Sequence, residues 1–154
     1  MSEDDTKKTT ETEITLEDIR KRRQAKRDAL DTAYRKQEII DSLAIADLED
    51  DLGESLSTMA TNTCREGVAV KAAYRAPNAL QYKRYKETLG KAGEKNDSKK
   101  IYEVRELLAE SCWVYPVDPP ARAAFRDAFP GALVSMALEV VKLVELRAEE
   151  EKKA

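Results

Sequence analysis

Residues 101–146 read IYEVRELLAESCWVYPVDPPARAAFRDAFPGALVSMALEVVKLVEL and contain the only tryptophan, both phenylalanines and four of the five prolines of the chain. Apolar residues at the start of this segment recur at spacings of three and four, which predicts one helical face made of Ile101, Val104, Leu108 and Cys112. The residue before a proline is pushed toward extended geometry, so we expect this helix to end in a bend at WVYP, residues 113–116. The rest of residues 101–146 predicts two more helices, so that the C-terminal part of the chain is expected to form a helix, a bend, a short helix and a last helix.

The short helix after the bend is expected to begin at Asp118, a good N-cap, followed by Pro119, which suits the first helical position. Phe125 and Phe129 lie one turn apart in this helix, and we predict that both are core residues. The last helix carries an apolar stripe made of Leu133, Met136, Ala137, Val140 and Val144. Three more residues make its apolar surface wider than one packed face requires, namely Leu138, Val141 and Leu143.

Composition excludes several classes of protein. The 154 residues fit one domain, and a net charge of -3 gives no general reason to expect a nucleic-acid partner. The chain has no histidine, which removes the usual Ser-His-Asp and Cys-His nucleophiles and every His-ligated metal site. No apolar run is long enough to span a bilayer, and the two cysteines do not make a disulfide framework. We therefore expect a protein that is not an enzyme and has no cofactor, metal or membrane partner.

A long N-terminal helix is predicted from Thr15, which with Asp18 resembles a capping box, as far as Gly53. Its apolar pattern resumes after a basic block with Leu30, Tyr34, Ile40, Leu43 and Leu48. The basic block consists of Arg20, Lys21, Arg22, Arg23, Lys26 and Arg27. We interpret it as a solvated face rather than a phosphate-binding patch, because no aromatic residue is interleaved. An acidic cluster at residues 47–54 gives the helix halves of opposite charge, which could pair with a partner or with a second copy.

The period of the sequence changes from helical to two between residues 56 and 74, which predicts a β-hairpin. The fold class is therefore mainly α with a small β-hairpin, an α+β arrangement. Residues 14–147 are expected to form a single domain. Residues 1–13 are predicted to be a disordered tail and residues 148–154 a charged tail, since neither buries apolar surface.

Three stretches of the chain resemble the tail assembly chaperones of long-tailed bacteriophages. The first is the acidic helix end ADLEDDLG at residues 46–53. The second, residues 68–77, is a strand running into a proline that opens a helix with Tyr82 and Tyr85. The third combines CWVYP at 112–116 with FPG at 129–131 and an apolar final helix. A valine-any-proline bend and a bulky-proline-glycine helix start recur in that family, and the resemblance covers about residues 46–146.

This resemblance implies a non-enzymatic protein made late in infection that binds the tape measure protein, keeps it soluble and brings tail tube subunits to it. It also implies action in the host cell cytoplasm and absence from the mature virion. The residues expected to bind the partner are apolar or aromatic and lie at the bend and on the last helix: Trp113, Tyr115, Leu133, Met136, Val140 and Val144.

Two other functions remain open at this point. The chain could be a virion structural or adaptor protein, which would be stoichiometric in purified particles, whereas a chaperone would be absent from them. It could also be a small nucleic-acid-binding regulator that uses the basic block, in which case its binding would fall steeply with salt.

Overall fold

The computed structural model describes residues 13–153, which form a long helix, a three-stranded antiparallel sheet and four further helices. The helices are α1 (Leu16–Leu52), α2 (Ala79–Glu94), α3 (Ser98–Cys112), α4 (Pro119–Ala128) and α5 (Ala132–Lys153). The strands are β1 (Ser57–Ala60), β2 (Lys71–Tyr74) and β3 (Trp113–Tyr115). The predicted mainly helical fold with a small β part is confirmed. The predicted disordered tail lies outside the described residues except for Glu13, as does Ala154.

Helix α1 begins and ends where the sequence predicts. The Thr15 hydroxyl accepts a hydrogen bond from the Asp18 amide, and the Asp18 carboxylate accepts one from the Thr15 amide, each at 3.1 Å. Gly53 ends the helix in the left-handed conformation, with φ of 68°, which a glycine adopts without a Cβ clash. The predicted apolar pattern is wrong in detail, because Leu30, Ile40 and Leu43 are exposed and the buried residues of α1 are Asp41 and Ile45.

The hairpin is confirmed, with shorter strands than predicted and a third strand beside it. β1 and β2 pair antiparallel from Ser57 opposite Tyr74 to Ala60 opposite Lys71. β3, which the sequence analysis treats as a bend, pairs antiparallel with β2 and gives the order β1-β2-β3. The run Trp113–Tyr115 consists of aromatic and β-branched residues, which favour a pleated surface, and the proline that follows disfavours further helix.

The sheet separates two apolar clusters. Ala72 and Tyr74 of β2 face the larger cluster, which α2, α3, α4 and α5 build, whereas Ala73 faces a smaller cluster with Ile45 and Leu56 beneath α1. Successive side chains of a strand point to opposite faces, so one short strand serves both clusters. The domain therefore has α1 on one side of the sheet and the other four helices on the opposite side.

Phe125 lies at the centre of the larger cluster and is fully buried. Its ring centroid is 5.7 Å from that of Trp113 and 5.3 Å from that of Phe129. The prediction of a core residue is confirmed for Phe125, whereas Phe129, which caps α4, is only partly buried against the core. Arg122 holds the segment before α4 in place, since its Nε donates to the Pro116 carbonyl at 2.6 Å.

Helix α5 continues through residues 148–153, so the predicted charged tail is helical and exposed as far as the structure describes it. Its N-terminal part packs on α3, which in turn packs on α2. This packing determines which face of α5 is available to a partner.

Candidate functional site

The six residues predicted to bind a partner do not form one accessible surface. Tyr115 and Val144 are partly exposed. The other four are buried in the core, namely Trp113, Leu133, Met136 and Val140. The expectation is therefore corrected for these four. Leu133, Met136 and Val140 are buried because α5 packs this stripe against α3, and Trp113 of β3 is buried against Phe125.

The opposite side of α5 is open. Val140 has no exposed surface, whereas Val141, about 100° further around the helix, is partly exposed. Leu138 is 48% exposed, although it lies only two residues before Val140. The additional apolar residues that widen the α5 stripe in the sequence are thus the ones that reach the surface.

The open side of α5 borders a groove of about 790 Å³ next to strand β1, which we call the edge groove. The groove is lined by Met59 of β1, Arg105 of α3 and a set from α5 that includes Leu138, Val141, Lys142 and Glu145. Within residues 13–153, β1 pairs with β2 alone, so its other side is a free sheet edge. An apolar floor beside a free strand edge can accept an amphipathic helix or an added strand.

Charged groups surround the apolar floor of the edge groove. Lys142 Nζ lies 3.0 Å from Glu139 Oε1, and both side chains are largely exposed to solvent. Arg105 Nε is buried and has no hydrogen-bond partner among the described residues. The pKa of Tyr74, which also lines the groove, is raised by burial and then by the nearby Glu139 carboxylate, so its hydroxyl stays protonated. The rim therefore offers both signs of charge, from Lys142 and Glu139.

A second groove, of about 560 Å³, lies between the start of α2 and the end of α5. Val144 lines this groove. It belongs to the core-facing stripe of α5 but lies one turn beyond Val140, the last buried residue of that helix. The Tyr82 ring forms another wall, and Lys86 Nζ lies 5.4 Å from its centroid. Lys86 and Tyr82 therefore pack on each other within α2.

The most strongly bonded polar side chain described is Asp41, which has no exposed surface. One of its carboxylate oxygens, Oδ2, accepts hydrogen bonds from the backbone amides of Val70 at 2.7 Å and Lys71 at 3.1 Å. The other, Oδ1, accepts from the Tyr115 hydroxyl at 2.6 Å and from Gln37 Nε2 at 2.9 Å. A single carboxylate on α1 therefore joins the residues at the start of β2 to the end of β3.

Burial first, and then the hydrogen bond to Asp41, raises the pKa of Tyr115 far above its ordinary value. The hydroxyl therefore remains a proton donor to the carboxylate throughout the neutral range. The contact between Tyr115 and Asp41 is structural, because both oxygens of the Asp41 carboxylate already accept hydrogen bonds from donors of the chain.

The burial of Asp41 was not predicted, because an aspartate on a charged helix is usually solvated. One signal could have identified it, since Asp41 lies four residues before Ile45 and seven before Leu48, on the same helical face. A lone acid in line with apolar residues indicates a buried, hydrogen-bonded group.

The remaining candidates from the sequence do not form a reactive site. The residues of the basic block are all exposed, and Lys21 pairs with Glu17 of the preceding turn at 3.3 Å. Cys112 is buried, and burial raises the pKa of its thiol, which disfavours the reactive thiolate. Within residues 13–153, no group of three or more His, Cys, Asp and Glu side chains is placed to hold a metal ion.

None of the helices in the described part of the chain combines the length and apolar character needed to cross a membrane. Comparison of the sequence with protein-family models and curated proteins, and of the fold with solved structures, finds no match.

Proposed function

We propose that this chain is a phage tail assembly chaperone that binds the tape measure protein through the edge groove, keeps it soluble and helps to recruit tail tube subunits. The partner's identity rests on the resemblance of residues 46–146 to that family. The observation that supports this binding site is the apolar surface that Leu138 and Val141 of α5 expose next to the free edge of β1.

A helical tape measure protein presents apolar residues at intervals of three and four, which match a groove with an apolar floor. Met59 and Leu138 supply flexible and exposed apolar contacts at the two walls of the edge groove. Burying such side chains against a partner stabilises a complex by about 1.5–3 kcal/mol for each fully buried residue.

The rim of the groove supports the same proposal. Lys142, Glu139 and Glu145 leave both signs of charge at the rim. The groove is therefore suited to a helix with mixed charges outside an apolar stripe. The proposed site of action is the host cytoplasm, before the tail is complete.

The test is coexpression with the tape measure protein, with the soluble fraction of the tape measure protein as the readout. Leu138→Glu and Val141→Glu place a charge on the floor of the edge groove. Leu146→Glu is the matched control, because Leu146 is an exposed leucine of the same helix that does not line the groove. We expect both groove variants to fold and to lose the soluble tape measure protein, and the control to retain it.

Retention of soluble tape measure protein by both folded groove variants would contradict the proposed site. A chain found in stoichiometric amounts in purified virions would contradict the chaperone function and favour a structural or adaptor protein.

A further inference from the structure

Helix α1 is attached to the rest of the domain over a short part of its length. Of its 37 residues only Asp41 and Ile45 are buried, and residues 16–33 are all exposed. Leu48 adds a partly buried side chain to the same attachment. Ile45 is thus the only buried apolar side chain that α1 contributes within residues 13–153.

Much of this attachment is polar. Asp41 accepts hydrogen bonds from the backbone amides of Val70 and Lys71, which begin the middle strand of the sheet. The Lys71 ammonium also reaches α1, where its Nζ lies 3.0 Å from Ser42 Oγ and 3.5 Å from Glu38 Oε1. When such a surface opens, both partners of each contact become accessible to water, so no buried group is left unpaired.

The four other helices are held together by apolar packing. The larger cluster buries Phe125, Met136 and Val140 completely, and it contains no residue of α1. Burial of apolar surface is the main favourable contribution to folding. The larger cluster therefore keeps its packing whether or not α1 is in place.

Helix α1 continues into the sheet through a short exposed connection, residues 53–55. Gly53 has a φ of 68°, and the space around the position of a Cβ is open. A glycine changes its backbone angles at low steric cost, so the chain can turn at this position. The connection is restrained by a hydrogen bond from the Leu56 amide to Glu49 Oε1 at 2.9 Å. Movement of α1 about Gly53 therefore breaks no connection between the other described elements.

We infer that α1 is a strap that leaves the sheet as one unit, about Gly53, while the sheet and the other four helices stay folded. The closed strap covers the side of the sheet on which Ala73 lies. The open strap exposes this side and separates the Val70 amide from its acceptor, Asp41. Partial openings of this kind occur where few apolar contacts hold an element, which is the condition that α1 meets.

Opening of the strap is independent of the proposed binding of the tape measure protein. The edge groove is lined by residues of β1, β2, α2, α3 and α5, and none of its lining residues belongs to α1. A strap that does not open leaves that groove unchanged, and a groove that binds no partner leaves the strap unchanged.

The first test is amide hydrogen exchange of the full chain, followed residue by residue by NMR. The Val70 amide reports opening of the strap, because its acceptor is Asp41 of α1. The amides of Met136 and Val140 report unfolding of the larger cluster, in which both side chains are fully buried. We expect the Val70 amide to exchange at least about tenfold faster than these two, with a weaker dependence on urea because less surface is exposed. Equal rates, or an equal dependence on urea, overturn the inference.

The second test uses matched truncations of two buried aliphatic side chains, Ile45→Ala in α1 and Val104→Ala in α3. Opening of the strap exposes Ile45 but not Val104, which lies in the larger cluster. We therefore expect Ile45→Ala to speed exchange of the Val70 amide at least about tenfold. Val104→Ala should leave that amide unchanged while it speeds exchange at Met136.

Two results of the second test overturn the inference. If Ile45→Ala has no effect at Val70, exchange there reflects a local fluctuation that does not involve departure of α1. If Val104→Ala speeds exchange at Val70 and Met136 equally, α1 and the larger cluster unfold as one cooperative unit.

Discussion

Helix α5, with 22 residues, buries five of them, whereas α1, with 37 residues, buries two. The stripe that packs α5 on its neighbours is apolar throughout its buried length, with Met136 and Val140 fully buried. The corresponding face of α1 carries a buried aspartate, and its exposed apolar residues lie elsewhere. The amount of apolar surface on a helix therefore does not determine which side is covered, because the neighbouring elements decide that.

The largest expected effect comes from the core that α5 closes. Phe125→Ala removes a fully buried ring that contacts Trp113 and Phe129, and such truncations cost about 3–5 kcal/mol. We expect a large fall in the midpoint of urea or thermal unfolding. Phe129→Ala should cost less, since Phe129 is partly exposed. Equal effects of the two substitutions would show that both rings are equally buried and would contradict this description of α4.

The next effect concerns the polar contact that holds α1. Asp41→Ala leaves the Val70 amide buried without its acceptor, whereas Gln37 and Tyr115 are only partly buried and can reach other partners. We expect a loss of about 1–3 kcal/mol in the free energy of unfolding, the cost of one buried unpaired donor. Asp31→Ala, at an exposed aspartate of the same helix, is the control and should have little effect. Similar stability of the two variants would argue that Asp41 is solvated.

Features of the fold that depend on neighbouring residues could be predicted from the sequence, whereas features that depend on distant residues could not. Helix ends were predictable from Thr15, Asp18 and Gly53, because capping chemistry is local. The pairing of β3 with β2 was not, because it joins residues about 40 positions apart and short β-prone runs have no periodic signal. Of the six predicted partner-binding residues, four lie on α5 and three of those are on its packed side, because periodicity identifies an apolar face without identifying its neighbour.

A pH effect follows from Tyr115, whose pKa is raised in the folded protein by burial and by its hydrogen bond to Asp41. The folded state holds this proton more tightly than the unfolded chain, so the contribution to stability is complete below pH 10 and is lost as the pH rises above it. We expect the midpoint of thermal unfolding to fall as the pH rises above 10, and to fall less steeply in Tyr115→Phe than in the wild type. At neutral pH this variant should lose about 1.5 kcal/mol. Identical alkaline profiles for the two proteins would contradict a shared Tyr115–Asp41 contact.

The smallest expected effect lies in the exposed half of α1. Leu30 is a large apolar residue of the helix, yet it is exposed. Leu30→Ala should change the free energy of unfolding by no more than about 0.5 kcal/mol, as is usual for surface substitutions. A loss comparable with that from a core leucine would show that this half of α1 packs on something in the isolated protein.

The most direct measurement compares Val140→Glu with Val141→Glu, two adjacent substitutions that differ only in the face of α5 that they change. Val140 is fully buried and Val141 borders the edge groove. We predict that Val140→Glu abolishes the cooperative thermal transition, since it buries an unpaired charge. Val141 is only partly buried against the core, so Val141→Glu should keep a cooperative transition at a lower midpoint but leave coexpressed tape measure protein insoluble. Two unfolded variants, or a folded Val141→Glu that keeps the tape measure protein in solution, would contradict a helix with one packed face and one binding face.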